Sequence, residues 1–184
     1  IGVVARGEIP ELIPLSIAAH IQGMLHVDVD VLTSLPLPSA AFDQGRLQYS
    51  ASRLLQHLEA LSLSPWKKMI AVLDADLFVP IFTHVLGEAQ QAGKHALVSI
   101  YRLKTQGVDH PSGLSLLMER AAKVTLHELG HLYDLHHCTD PGCLMHFAGG
   151  LEDLDGALLD YCNYCRIYIR DALFRKGVTT DEPE

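Results

Sequence analysis

The stretch HELGHLYDLHHC, His127 to Cys138, concentrates residues that bind metals and move protons. His127 and His131 stand one helical turn apart, so both imidazoles lie on one helix face and can reach a single ion at about 2.0–2.1 Å. His137 follows His127 by ten residues. In an unbroken helix it would lie about 15 Å further along the axis and roughly 80° around, too far to share that ion. Convergence of all three requires the helix to end after His131 and the chain to turn back near Asp134. Glycine takes the left-handed conformation of such a turn freely; aspartate takes it at some cost, more readily than most residues. Asp134 itself is a poor ligand beside His127, because seven helical residues separate the two by about 10 Å. His136 is a rival to His137 for the third position, with His137 preferred.

The chain is rich in His, with 11 among 184 residues and 9 Glu. Random order therefore yields HExxH roughly 3 times in 100, but requiring His137 as well lowers this to about 2 in 1000. Three neutral histidines leave the fourth position of a tetrahedral zinc open to water, the arrangement of catalytic rather than structural zinc. Zinc lowers the pKa of water towards ~7. Glu128, beside the first ligand, would take the water's proton and deliver it to the leaving amine. The plainer alternative is an amphipathic helix whose histidines pack or face solvent.

All four cysteines fall within residues 138–165: Cys138, Cys143 after the turn sequence TDPG, and the pair Cys162 and Cys165. The pattern C-x4-C…C-x2-C supplies four thiolates, which close the shell of a structural zinc at about 2.3 Å. Scattered disulfide staples would be spaced differently, so in a reducing compartment a metal is the better reading. One disulfide per pair and an iron–sulfur cluster are the alternatives.

HELGHLYDLHHC, followed by Cys143, Met145 and the Cys162–Cys165 pair, resembles the archaemetzincin family, metzincin-type zinc peptidases with a second, four-cysteine zinc. The motif covers residues 127–165, and the cysteine directly after the third histidine sets this family apart from other metzincins. The resemblance implies a catalytic zinc on His127, His131 and His137, and Glu128 as general base. It implies a second zinc on Cys138, Cys143, Cys162 and Cys165, hence two ions per chain. Met145 would match the Met-turn, an apolar floor beneath the histidines. Asp134 stands where the family usually has Gly, which bears on the shape of the bend. Phe147 stands two residues after Met145, where some metzincins carry Tyr; zinc alone, His146 or another group would then stabilise the oxyanion. In metzincin-like folds an antiparallel edge strand forms the upper rim of the cleft and pairs with extended substrate. Phe82 to Glu88 is the candidate strand, with Thr83, His84, Val85 and Leu86 as substrate-binding residues. A lone His on a strand, such as His84, is more often structural or exposed.

The elements that must position these residues follow from hydrophobic periodicity. Residues 2–5 (GVVA), Val27 to Leu32 (VDVDVL) and Met69 to Leu73 read as strands. Phe82 to Glu88 and His95 to Tyr101 read as two strands joined by the turn QQAGK. Glu11 to Gln22 and Tyr49 to Ser62 carry helical apolar spacing, with a Pro-containing loop over 33–45 between them. The pattern is helical from Ser112 through the motif, then looped around GCLMHFAGG, then helical again from about Asp155 to Phe174. Asp74 and Asp76 are expected to cap the turn after their strand. Strands alternating with helices imply an α/β (α+β) fold: a mostly parallel twisted sheet with one antiparallel edge strand, packed by helices. A helical C-terminal region carries the zinc motifs. We expect a single catalytic domain over residues 1–184. Its sheet-containing N-terminal region would span residues 1–126 and its zinc-site region residues 127–176, with GVTTDEPE at 177–184 as a flexible tail.

Bulk properties narrow the function. The residues are 48% hydrophobic, enough for a real core, and the formal charge is −8 with no run of Lys or Arg. A sequence-independent grip on nucleic acid needs a basic stripe. Arg166, Arg170, Arg175 and Lys176 read instead as a solvated helix face. No apolar run approaches the ~20 residues that span a bilayer, and IGVVARGEIPEL lacks the pattern of a signal peptide. The expectation is a cytoplasmic enzyme acting on peptides or unfolded proteins, without nucleic-acid or membrane partners. A metal-dependent RNA hydrolase is the rival reading, since a bacterial endoribonuclease family also uses an HExxHxxGxxH-type motif. The cysteine quartet and the acidic balance count against it. A zinc-bearing protein with little or no catalysis is the third.

Overall fold

Three runs of the sequence, GVVAR, MIAVL and HALVS, are apolar for most of their length and become strands buried on both faces, as parallel strands between helix layers must be. The computed structural model describes residues 1–61, 65–104 and 111–175. In chain order the elements are β1 (Gly2–Arg6), α1 (Leu12–Leu25), β2 (Asp30–Leu35), β3 (Phe42–Asp43), β4 (Gln48–Ser50) and α2 (Ala51–Ala60). They continue with β5 (Met69–Leu73), β6 (Leu77–Phe78), β7 (Gly87–Ala89), β8 (His95–Ser99), α3 (Pro111–Leu132), α4 (Leu151–Gly156) and α5 (Asn163–Arg175). The main sheet has the order β2-β1-β5-β8-β7, parallel except for the antiparallel edge strand β7. A small second sheet, β3-β4-β6, accompanies it.

Alternate residues of the central strands face opposite layers. Val3, Ile70, Val72, Ala96 and Val98 pack with Ile13, Ile17 and Ile21 of α1 and with Ala121, Val124 and Leu129 of α3. Val4, Ala71, Leu73 and Leu97 pack with Leu54, Leu55 and Leu58 of α2. Helix α3 thus lies against β7 and β8 with one face in the core, which fixes the height of any residue on its other face.

Several boundaries differ from the expectation, each for a physical reason. The strand expected at Val27–Leu32 is the ladder Asp30–Leu35, because the partner strand β1 meets it from Gly2 opposite Asp30. Val27 and Val29 still pack against the core, so their alternation reports burial without pairing. The loop expected at 33–45 contains the end of β2, a single 3-10 turn at Ser39–Ala41, and β3. The helix expected from Tyr49 begins at Ala51, capped by the Ser50 hydroxyl, which accepts from Arg53 N–H; its expected end at Ser62 lies outside the described residues. The helix expected over 155–174 is broken into α4 and α5. The segment between them leaves the helix because it pairs with the cysteine loop: Leu158 N–H donates to Gly142 O (3.2 Å) and Leu144 N–H to Asp160 O (2.9 Å).

The strand expected at Phe82–Glu88 is the largest departure, since only Gly87–Ala89 join the ladder. Upstream, Val85 makes a single antiparallel bridge to Leu77, its N–H donating to Leu77 O (3.0 Å), and at Phe82 and Thr83 side chains take the place of a partner strand. The Gln48 amide donates to Thr83 O (2.9 Å), and the Arg46 guanidinium donates to Phe82 O (3.2 Å) and Thr83 O (3.4 Å). Gln48 is itself held by Asp76, which pairs bidentately with Arg102, while Asp74 pairs with Lys104. Of the basic residues near the C-terminus, Arg166 pairs with Asp160, Arg170 is exposed, and Lys176 and the tail lie outside the described residues.

Helix α3 ends as the histidine spacing requires. Asp134 takes φ 71°, its N–H donates to His131 O (3.0 Å) and Leu135 N–H donates to Gly130 O (3.0 Å). This pair of bonds is a Schellman closure with a left-handed residue just past the helix. The β7–β8 turn completes the cap: Ala92 N–H donates to His131 O (2.9 Å), and the Gln91 amide donates to Asp134 Oδ1 (3.0 Å) and Leu135 O (3.2 Å). The buried Lys68 ammonium donates to Leu132 O and Gly93 O. Aspartate therefore recovers through Gln91 what it loses in backbone strain. Asp134→Gly, which trades one hydrogen bond for relief of the left-handed strain, should leave unfolding stability within about 1 kcal/mol of the parent. Asp134→Ala loses the bond and keeps the strain, and should cost about 1–2 kcal/mol by urea denaturation.

Candidate metal centres and active-site cleft

The reversal brings His127, His131 and His137 together, with one ring nitrogen from each lying within 4.8 Å of the others. Two of the rings are fixed by backbone carbonyls contributed from elsewhere. His127 Nδ1 lies 2.7 Å from Leu144 O, and His131 Nδ1 lies 2.8 Å from Leu135 O. A carbonyl only accepts, so each Nδ1 carries the proton and each Nε2 presents a lone pair. Those two Nε2 atoms face each other at 3.1 Å. Two nitrogens about 2.0–2.1 Å from a tetrahedral ion stand roughly 3.3 Å apart, so the donor set fits a zinc-sized cation. The rings also resist protonation. Burial, then repulsion from His131, pulls His127 down to about 4, and burial lowers His131 and His137 as well. The trio is therefore neutral at pH 7, the form that ligates metal.

Met145 is fully buried, with its sulfur against Gly130 of α3; a Cβ there would stand 2.3 Å from Sδ. Glycine at position 130 lets the Met loop approach the helix between the two ligating turns. His136 is not part of the trio. It is exposed and lines a separate groove with Tyr164 and Tyr168.

The four cysteines form the second cluster, with sulfurs within 4.8 Å of one another and all four thiols free. Cys138 Sγ and Cys162 Sγ are 3.8 Å apart. A tetrahedron with bonds of about 2.3 Å has edges of about 3.8 Å, so this spacing fits one ion, not a disulfide of about 2.05 Å. Cys143 Sγ accepts from Met145 N–H (3.4 Å) and Cys162 N–H (3.2 Å), bonds that favour a thiolate, although burial pushes its pKa up. Backbone N–H donation from Cys165 lowers Cys162.

A cleft of about 480 Å³ runs over the histidines. Its upper rim is Phe82 to Ala89, which includes Thr83, His84, Val85 and Leu86; its lower side is Leu144 and His146 to Gly150. Among the described residues Lys123 is the one Lys or Arg in its lining, and that ammonium is committed to Glu119 and to the carbonyls of Leu154 and Asp155. His84 Nδ1 lies 3.3 Å from the Thr83 hydroxyl. The Phe147 ring is half exposed, 5.3 Å from His137 and 6.3 Å from Phe82. His146 directs Nδ1 to Cys138 O at 3.0 Å.

Glu128 projects from α3 towards β7 and is only 7% exposed. Burial first, and the nearby Glu88 second, hold its pKa well above the usual carboxylate range. Burial also raises Glu88. Sequence reasoning missed the carbonyls of Leu144 and Leu135, the cap from Gln91 and Lys68, and Gly87. Backbone carbonyls carry no side-chain signal, and a single glycine in a strand has many explanations.

Together, the fold and the donor set define a zinc metallopeptidase. The model of peptidase family M54 matches residues 18–171. The archaemetzincin of Pyrococcus furiosus is 32% identical over 181 residues, spanning 94% of this chain and 93% of that protein. The crystal structure of archaemetzincin from Methanopyrus kandleri superposes with a TM-score of 0.83 at 29% identity, covering 95% of this chain and 96% of that one. A zinc-dependent peptidase from Methanocorpusculum labreanum superposes with a TM-score of 0.82 at 25% identity, over 92% of this chain and all of that one (100%). The chain belongs to peptidase family M54, the archaemetzincins.

The lowered histidine pKa values have a measurable sign. Three ordinary imidazoles with pKa ~6.5 would lose about 500-fold in apparent zinc affinity between pH 7 and 5.5, as protons compete for the nitrogens. With His127 pulled down to about 4 and the other two lowered as well, protons compete less, so the loss should stay below about 70-fold. Titration against a chromophoric chelator, with the cysteine cluster already filled, measures it.

Proposed function

We propose that the chain hydrolyses peptide bonds in extended substrates, with one zinc held by His127, His131 and His137 and a second, structural zinc held by Cys138, Cys143, Cys162 and Cys165. The observation that carries this reading is the pair of Nδ1-to-carbonyl bonds, which aim two Nε2 lone pairs at one point beside a buried carboxylate. When bound, zinc supplies the Lewis acidity that acidifies water and polarises a carbonyl at neutral pH.

The chain's own residues supply the rest. Glu128 accepts the proton of the attacking water and passes it to the leaving nitrogen; the raised proton affinity of a buried carboxylate suits both halves of that task. Met145 forms the floor, and Gly130 gives it access. Phe147 offers no hydroxyl to a developing oxyanion. His146, when neutral, donates through Nδ1 to Cys138 O, so its Nε2 accepts and cannot donate.

Extended substrate adds to the free edge of β7, with Thr83 to Leu86 forming the wall of the same cleft. Ser99 N–H donates to Leu86 O and Gln90 N–H to His95 O, so Leu86, Glu88 and Gln90 turn their backbone groups towards β8. The backbone of Gly87 and Ala89 turns outward by alternation. Peptide fits this cleft better than RNA, because its one lysine among the described residues is already paired and no basic surface lines it. Free thiols gathered in one cluster favour a reducing compartment, and a cytoplasmic location rests on that. Among the described residues no helix is long and apolar enough to cross a membrane.

Glu128→Gln should lower peptide turnover by at least about 1000-fold while the protein still binds zinc. Peptidase assay and metal analysis on one sample check this, and two zinc per chain is the expected content. A variant as active as its parent would remove Glu128 from the reaction.

A further inference from the structure

Glu128 is held between two elements remote in sequence, α3 and β7. The residue of β7 that faces it is Gly87. A Cβ built on Gly87 would stand 2.5 Å from Glu128 Oε1, 2.7 Å from Cγ and 2.8 Å from Cδ. Such separations fall far inside van der Waals contact, so a side chain at position 87 forces something to move.

The strand is not free to retreat. Gly87 pairs with Val98 in the β7–β8 ladder, Val98 is fully buried, and Leu86 and Gln90 on either side bond to Ser99 and His95. The helix is not free either, since Leu126 and Leu129, close to Glu128 on either side, are fully buried in the core. The movable group is the Glu128 side chain. Nor is the glycine explained by its backbone: Gly7 is the described glycine with positive φ, and Gly87 has ordinary strand geometry that alanine adopts without strain.

We propose that Gly87 is a positioning residue for the general base. Its missing side chain is the space that the Glu128 carboxylate occupies, and a methyl group there displaces the carboxylate from the water it deprotonates. The inference rests on the reading of Glu128 as that base. It adds the partner that sets the carboxylate's position from across the cleft.

The test is Gly87→Ala in the zinc-loaded full chain. A displacement near ~1 Å should lower kcat by at least about 100-fold with KM within about threefold, while zinc content stays at the parent value. A variant with kcat within about threefold of the parent overturns the proposal. So does loss of zinc from the variant, because the glycine would then protect the histidines and not the carboxylate. A stability cycle supplies a readout independent of activity. Gly87→Ala should lower Tm in the parent background and leave it unchanged in a Glu128→Ala background, where the contact is gone. Equal losses in both backgrounds, or failure of both alanine variants at 87 to fold, sink the inference. Glu128→Gln in the same series separates the two claims: if it is inactive while Gly87→Ala is active, the positioning role fails alone. If Glu128→Gln is active, the base assignment fails, and the positioning role with it.

Discussion

Two hydrogen bonds, from Asp134 N–H to His131 O and from Leu135 N–H to Gly130 O, carry more of this site than their number suggests. They stop α3 just after its second ligand turn and send the chain back, so that His137 meets rings it could not otherwise reach. The closure depends on a left-handed residue, and the protein uses aspartate where glycine would be free of strain. What makes this tolerable is not local. Gln91, Ala92 and Lys68 converge on the same helix end from the β7–β8 turn and from the start of β5. The sheet thereby holds the bend from outside, and catalytic geometry is tied to the register of two strands.

The two clusters are one assembly. Cys138 follows His137 directly, and Cys143 precedes Leu144, whose carbonyl orients His127, and Met145, whose sulfur lies against Gly130 of α3. Cys138 N–H donates to Met145 O (2.7 Å), closing the loop between the sites. Tyr161, next to Cys162, buries its hydroxyl against Leu126 O on the helix that carries the first ligands (2.7 Å). A structural ion held by the thiols would therefore act on the histidines through the backbone that orients them, by helping to fix where the Leu144 carbonyl lies.

Much of this was legible in the residues alone, and the pattern of what was not is physical. Metal-binding residue types at fixed spacings announce themselves, so the gathering of His127, His131 and His137 and of the four cysteines was readable, and the need for a bend at Asp134 followed from helix geometry. The sheet order was readable in outline, because strands buried on both faces leave largely apolar runs. Val27–Leu32 misled because alternation records which side chains are buried, and pairing depends on where the neighbouring strand begins. Phe82–Glu88 misled because Arg46 and Gln48, far earlier in the chain, satisfy the carbonyls of Phe82 and Thr83, and Val85 turns to Leu77 instead of β8. The helix read across 155–162 was interrupted by pairing to the cysteine loop, a constraint of tertiary origin. The orienting carbonyls of Leu144 and Leu135 belong to the backbone and leave no trace in residue type.

The pinning of Phe82 and Thr83 by Arg46 and Gln48 bears on how tightly a guest can be gripped. A rim of irregular chain would ordinarily fluctuate, and an incoming strand would have to freeze it at a cost in conformational entropy. Here two carbonyls of the rim are already held, by a guanidinium from the β3–β4 turn and an amide from β4. If extended peptide adds to β7 as proposed, the affinity gained from backbone pairing would be correspondingly less diluted by the ordering of this rim.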